Sequence, residues 1–344
     1  MNNFLIGFLL MLLGGSLLGM FSFPLKYNKK WAWENTWAAG SLMALLLVPW
    51  PLTFLTIPSL GEVYRSVPVS TIVIVLLFGT TWGIGGIFYG KGLDAIGFSI
   101  GIALMMGIVA IGGSVIPLAM DYPEKIIELP GLVLLAGIFV MIAGLYICAW
   151  AGLLKDKDQN TGIGKMGDGL KKISFKTGVL ICIIAGILSS TLNFGIIYGK
   201  GISVEALKLG AKPANAGNAA MALVFTSNFL VNVLYSLYLL IKNKTYKNYA
   251  LKGTFPYWIL VAFMGAMWSG SVSIYGAGVS MTGELGAYLG FPVLMITAIV
   301  AGNVFAVLTG EWASVGLKPK RTMIAGISTL ILAIIILGLS MSIM

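Results

Sequence analysis

Ten apolar runs of about twenty residues, separated mostly by short polar connections, leave this 344-residue chain few ways to fold. They lie near 4–24, 36–56, 70–90, 97–118, 131–151, 176–198, 218–241, 256–279, 287–309 and 322–343. Each is long enough to cross ~30 Å of hydrocarbon as a helix. Inside lipid every backbone N–H and C=O must find a partner within the protein, and a helix supplies one at each residue. The expected fold is therefore an all-α integral membrane bundle of ten transmembrane helices. With 58% hydrophobic and 10% charged residues, little sequence is left over for a soluble domain. The first run has no Lys or Arg before it and no small-residue cleavage site after it, so it is expected to be a retained helix.

The longest connection, 153–175, contains "KDKDQNTGIGKMGDGLKK" and has no apolar periodicity. It reads as a linker between two five-helix halves, 1–152 and 176–344. The charges carry topology. Loops joining odd to even helices hold 17 Lys and Arg and the others hold 5, so the first set, with the linker, is expected in the cytoplasm and both termini outside. The formal charge of +10 thus needs no nucleic-acid partner. The two cysteines, Cys148 and Cys182, each sit in an apolar run and offer neither a disulfide framework nor metal-ligand spacing; no metal or cofactor is expected.

The stretch "FGTTWGIGGIFYGKGLDAIG", Phe78 to Gly97, packs seven glycines into twenty residues. A shift of 186 residues lays it over "MGAMWSGSVSIYGAGVSMTG", Met264 to Gly283, pairing Gly79 with Gly265, Trp82 with Trp268, Tyr89 with Tyr275, Gly90 with Gly276, Gly92 with Gly278 and Gly97 with Gly283. Weaker echoes pair Glu34 with Glu205 at a shift of 171, and Asp121 with Glu311 at a shift of 190. These are marks of an internal repeat. Five helices per half is an odd number, so the second half enters the membrane in the opposite sense and the repeats are inverted. Small residues let helices approach closely in lipid, and Gly83, Gly86 and Gly270 are all expected to tolerate alanine poorly and leucine not at all, whether their role is packing or room for a ligand.

Tryptophan favours the interfacial belt, yet Trp82 and Trp268 fall near the middle of their runs. Flat faces beside glycine and serine suit the C–H face of a sugar ring. Neutral hydrogen-bonding groups inside the runs, including Asn193, Asn228 and Asn232, must face a partner or a wet cavity. Together with Tyr89 and Tyr275 they form the candidate substrate-binding set, and their neutrality suits a polyol better than an ion. Only two arginines, Arg65 and Arg321, are present, and both stand outside the runs. With no histidine, proton coupling must use a carboxylate; the candidates are Glu34, Glu205 and Glu284, at or beside helix ends.

The stretches "FPLKYNKKWAWENTW" (Phe23 to Trp37), "VPW" (Val48 to Trp50), "FGTTWGIGGIFYG" (Phe78 to Gly90) and "GEW" (Gly310 to Trp312) resemble the L-rhamnose–proton symporter family of the drug/metabolite transporter superfamily. The resemblance runs along nearly the whole chain. It implies ten helices in two inverted repeats, a central substrate cavity, and uptake of L-rhamnose or a related deoxysugar driven by the proton gradient across a bacterial cytoplasmic membrane. The implied partners are a small neutral sugar, protons and the lipid bilayer, and a homodimer is one assembly open to the chain. A passive facilitator, or an exporter of amino acids or other metabolites on the same fold, stays open as the alternative. An enzyme would need a nucleophile–base or metal constellation that the runs lack.

Overall fold

The computed structural model describes residues 2–23, 27–96, 98–158 and 175–343. Met1, Pro24 to Lys26, Gly97 and Met344 lie outside the described residues, as does most of the expected linker, 159–174. Among the described residues there are helices and turns but no strand. In chain order the helices are α1 (Asn2–Met20), α2 (Trp33–Leu42), a π-helical turn (Met43–Leu47), α3 (Pro49–Thr56), α4 (Leu60–Ser66), α5 (Val69–Ile96), α6 (Phe98–Asp121), α7 (Pro123–Ile127) and α8 (Leu129–Asp158). There follow α9 (Phe175–Tyr198), α10 (Lys200–Lys208), α11 (Pro213–Lys242), a 3₁₀ turn (Thr245–Ala250), α12 (Phe255–Met281), α13 (Gly286–Leu308) and α14 (Leu317–Ser342). Ten spans among them are long and apolar enough to cross a membrane, with α2–α3 and α9–α10 each forming one. All ten coincide with apolar runs, though α1 stops at Met20, short of its run, and several other helices extend past theirs. α11 starts at Pro213 rather than near 218, because proline at the first helical position loses only an N–H that would be unpaired anyway.

The chain divides into two compact units, Met1–Ile84 with Thr191–Gly283, and Gly85–Ser190 with Glu284–Met344. In the first unit α1 lies against α12 so closely that a Cβ on Gly278 would stand 2.6 Å from the Gly7 carbonyl oxygen. α11 packs against α2, α3 and α12. The glycines of α5 admit it too: a Cβ on Gly79 would strike the Val224 carbonyl, and one on Gly83 would lie 2.9 Å from Val231 Cβ. These are small-residue contacts between helices, the means by which bundles hold together in lipid. In the second unit α8 runs along α14, where Gly326 meets Cys148. Gly92 likewise meets Cys182; both cysteines are buried and reduced. The first half of α13, Gly286 to Thr297, is buried on every side.

Two prolines open backbone bonds that serines from neighbouring helices close. The turn Met43–Leu47 is π-helical, with Val48 N–H donating to the Met43 carbonyl at 3.0 Å. Continued by one residue, that pattern would ask Pro49 to donate to Ala44, and proline has no N–H. Ser269 of α12 donates to the Ala44 carbonyl instead. In α13, Pro292 leaves the Tyr288 carbonyl without its donor four residues on, and Ser114 of α6 donates to it. Replacing Ser269 by alanine is therefore expected to cost about 1–3 kcal/mol, the price of an unsatisfied buried carbonyl. The same change in a Pro49→Ala background, where residue 49 regains its N–H, should cost markedly less. Equal losses in the two backgrounds, measured by thermal unfolding in detergent, would refute this pairing.

Candidate functional site

The site candidates gather mainly in the first unit, and the helix register explains how. Trp82 is the fourteenth of the 28 residues of α5, and Trp268 the fourteenth of the 27 of α12. At ~1.5 Å per residue both stand roughly 20 Å from their helix starts. Their rings stack on each other, centroids 5.5 Å apart and planes 11° from parallel. Phe225 of α11, fully buried, meets both at a tilt, 5.3 Å from Trp268 and 6.2 Å from Trp82. Both indoles keep partial exposure. A Cβ on Gly270, two residues beyond Trp268, would meet nothing within 4 Å, and neither would one on Gly86. Packing therefore gives those two glycines no reason to resist alanine, and room for the ligand is the ground of the expectation that stands. Of the three, only Gly83 is closed by a neighbour.

From Phe225 the same face of α11 continues to Asn228 and Asn232, three and seven residues on. Asn232 Nδ2 donates to Asn228 Oδ1 at 2.6 Å and to the Asn228 carbonyl at 3.1 Å. Trp37 Nε1 of α2 donates to Asn232 Oδ1 at 2.7 Å, and Trp33 stacks on Trp37 at 5.2 Å. Trp50 Nε1 of α3 donates to Thr226 Oγ1 of α11 at 2.9 Å. Tyr275 lies two turns beyond Trp268 on α12, fully buried, its hydroxyl 3.5 Å from Asn193 Oδ1. Tyr89 belongs to the second unit, where it packs with Ile96, Met105, Cys182 and Ala185.

The three carboxylates differ in setting. Glu34, in the first turn of α2, is buried at 6% exposure, and its Oε1 accepts from Asn243 Nδ2 at 3.0 Å and Thr245 Oγ1 at 2.7 Å. Its neighbour Asn35 donates to the Thr245 carbonyl at 2.9 Å and accepts from the Ala32 backbone N–H and Asn248. Tyr249 donates to the Asn35 carbonyl at 2.9 Å; burial pushes its phenol above the ordinary value, so it stays a donor. Trp31 closes this end edge-on to Tyr249, Tyr257 and Trp258. The stretch 28–37 is thereby tied to 243–258. Glu205 is half-buried on α10 and pairs at 2.6 Å with Lys208, one turn on. Glu284 stands exposed between α12 and α13.

Sequence reasoning missed Phe225 and Trp37. Phe225 could have been found from its helical register with Asn228. Trp37 closes the stretch Phe23 to Trp37, but its partner is 195 residues away.

The family model described as L-rhamnose-proton symport protein (RhaT) matches residues 1–343. An L-rhamnose-proton symporter of Yersinia pestis (strain Pestoides F) is 29% identical over 353 aligned residues, covering 99% of this chain and the whole of that protein. One from Yersinia pseudotuberculosis (serotype O:1b, strain IP 31758) shows the same identity and coverage.

Proposed function

We propose, since the chain belongs to the L-rhamnose-proton symport family, that it carries L-rhamnose or a related deoxysugar into the cell together with protons, by alternating access. It is a transporter and not an enzyme. The observation that carries the substrate reading is the stack of Trp82 on Trp268 at mid-helix, beside the neutral amides Asn228 and Asn232. Aromatic faces take the C–H surface and the methyl group of a deoxysugar, and amides take its hydroxyls. Glu34 is our choice for the proton-coupling carboxylate, being the most buried of the three candidates.

The inverted repeats 1–152 and 176–344, joined by the linker 153–175, belong to the same proposal, as does the drug/metabolite transporter architecture. The 186-residue shift supports it. Applied to α5, it carries Val69 onto Phe255, the first residue of α12, and Ile96 onto Thr282, one past its last. Equivalent residues of a pseudo-two-fold pair can touch each other only near the axis, and Trp82 touches Trp268. In transporters built from inverted repeats the substrate site lies near that axis at the bilayer midplane.

The charge count supports a cytoplasmic linker and outward termini in a bacterial cytoplasmic membrane. Labelling of an Asn160→Cys variant, and not of Asn2→Cys, by an impermeant thiol reagent on intact cells would reverse that orientation.

The transport reading is tested in proteoliposomes. An imposed inward proton gradient should concentrate labelled L-rhamnose, and a protonophore should release it. Equilibration without concentration would favour the passive facilitator. A gradient that drives efflux of amino acids, with no rhamnose uptake, would favour the exporter.

A further inference from the structure

The amide pair of α11 has a polarity, and the polarity is imposed from α2. An amide side chain can be turned over by half a rotation, exchanging its donor and acceptor ends. An indole cannot: Nε1–H only donates. The atom of Asn232 that receives Trp37 Nε1 at 2.7 Å must therefore be the oxygen. That turns Asn232 Nδ2 towards Asn228, and the side-chain atom of Asn228 that receives it at 2.6 Å must in turn be its oxygen. What remains is the amide nitrogen of Asn228, which makes no hydrogen bond among the described residues. It is also not among the buried atoms closed off without a partner. The relay runs Trp37 to Asn232 to Asn228 and ends in two N–H donors one helical turn from Phe225, the ring against which Trp82 and Trp268 lean. Donors aligned head to tail also polarise one another, which strengthens the last in line.

We propose that Trp37 is a positioning residue for sugar recognition: by holding Asn232 and Asn228 in one orientation it presents the Asn228 amide as a hydrogen-bond donor to one oxygen of the sugar. This rests on the reading of the Trp82–Trp268–Asn228 region as the sugar site. The consequence is a specificity rule. The sugar position facing Asn228 must carry an acceptor, and a substituent that accepts without donating still meets the requirement.

The unaltered transporter tests this with a series of L-rhamnose analogues, each hydroxyl replaced in turn by hydrogen and by fluorine, competing for uptake of labelled L-rhamnose. At one ring position the deoxy analogue should bind about tenfold or more weaker than L-rhamnose, and the fluoro analogue should recover at least about threefold, because fluorine accepts weakly and cannot donate. In Trp37→Phe, which keeps a ring and loses the donor, the amides are free to turn. KM for L-rhamnose should rise about five- to twentyfold with kcat within about twofold, and the deoxy and fluoro analogues should bind alike at that position. Fluoro analogues no better than deoxy ones at every position in the unaltered protein would overturn the donor assignment without any variant. Unchanged KM and selectivity in Trp37→Phe would overturn the role of Trp37. If Trp82→Ala and Trp268→Ala also leave affinity unchanged, the site itself is misplaced; if they weaken it while Trp37→Phe does not, only this inference fails.

Discussion

Replacing Glu34 by glutamine is expected to abolish accumulation of L-rhamnose above its external concentration while leaving sugar exchange across the membrane intact. One pH unit is worth about 1.4 kcal/mol, so each proton carried per sugar sustains roughly tenfold accumulation; the variant should fall to a ratio of about one. Exchange moves no net proton and so escapes the change. The substitution is well suited to the question because the bonds from Asn243 and Thr245 both end on one oxygen of residue 34, Oε1. A glutamine oxygen accepts the same two donors, so the tie between 28–37 and 243–258 stands and only the capacity to take up a proton is lost. The placement gives coupling a route. Glu34 and Trp37 lie one turn apart on α2, the first bonded to the end of α11 and the turn after it, the second to Asn232, and the helix ends at the π turn. On the proposed role of Glu34, a change there would reach the helix that holds the amide pair. Counterflow and pH-driven uptake in the same proteoliposomes separate the two functions. Normal accumulation by both Glu34→Gln and Glu205→Gln would move the coupling to Glu284.

The spans were legible because lipid leaves one solution for a long apolar run. What that rule cannot see is where a helix continues into water or breaks within lipid. Pro49 and Pro51 stood inside the run 36–56 as a visible warning, yet whether proline kinks, ends or widens a helix depends on which neighbour takes the freed carbonyl. Here it is Ser269, more than two hundred residues away. The glycines teach the same lesson. Gly83 and Gly86 look equivalent in "WGIGG", but a Cβ on one runs into Val231 while a Cβ on the other meets nothing, and only the partner helix decides. The 186-residue shift pairs Trp82 with Trp268 in the sequence, the mark that the proposed two-fold symmetry would leave, but that the two rings meet is seen only in the structure. The bond from Trp37 to Asn232 had no such symmetry to announce it.

That stack sets the terms of the largest effect expected at the substrate site. Each indole covers one face of the other and leans on Phe225, so removing either ring takes a support from its partner and, at the proposed site, a contact surface from the sugar. Trp82→Ala or Trp268→Ala should weaken L-rhamnose binding by about 1–2 kcal/mol, the scale of a buried aromatic contact, equivalent to roughly five- to thirtyfold in Kd. Phenylalanine should recover part of the loss at either position because a ring face survives. The two alanine losses should not add, since the second ring is already displaced once the first is gone. Fluorescence provides a direct reading. Sugar-dependent quenching should vanish in the Trp82→Phe/Trp268→Phe double variant and persist when Trp150, exposed on α8, is replaced. Quenching and affinity that both survive the double variant would reduce the stack to a packing contact between α5 and α12, and leave Asn193, Asn228 and Asn232 as the groups to test.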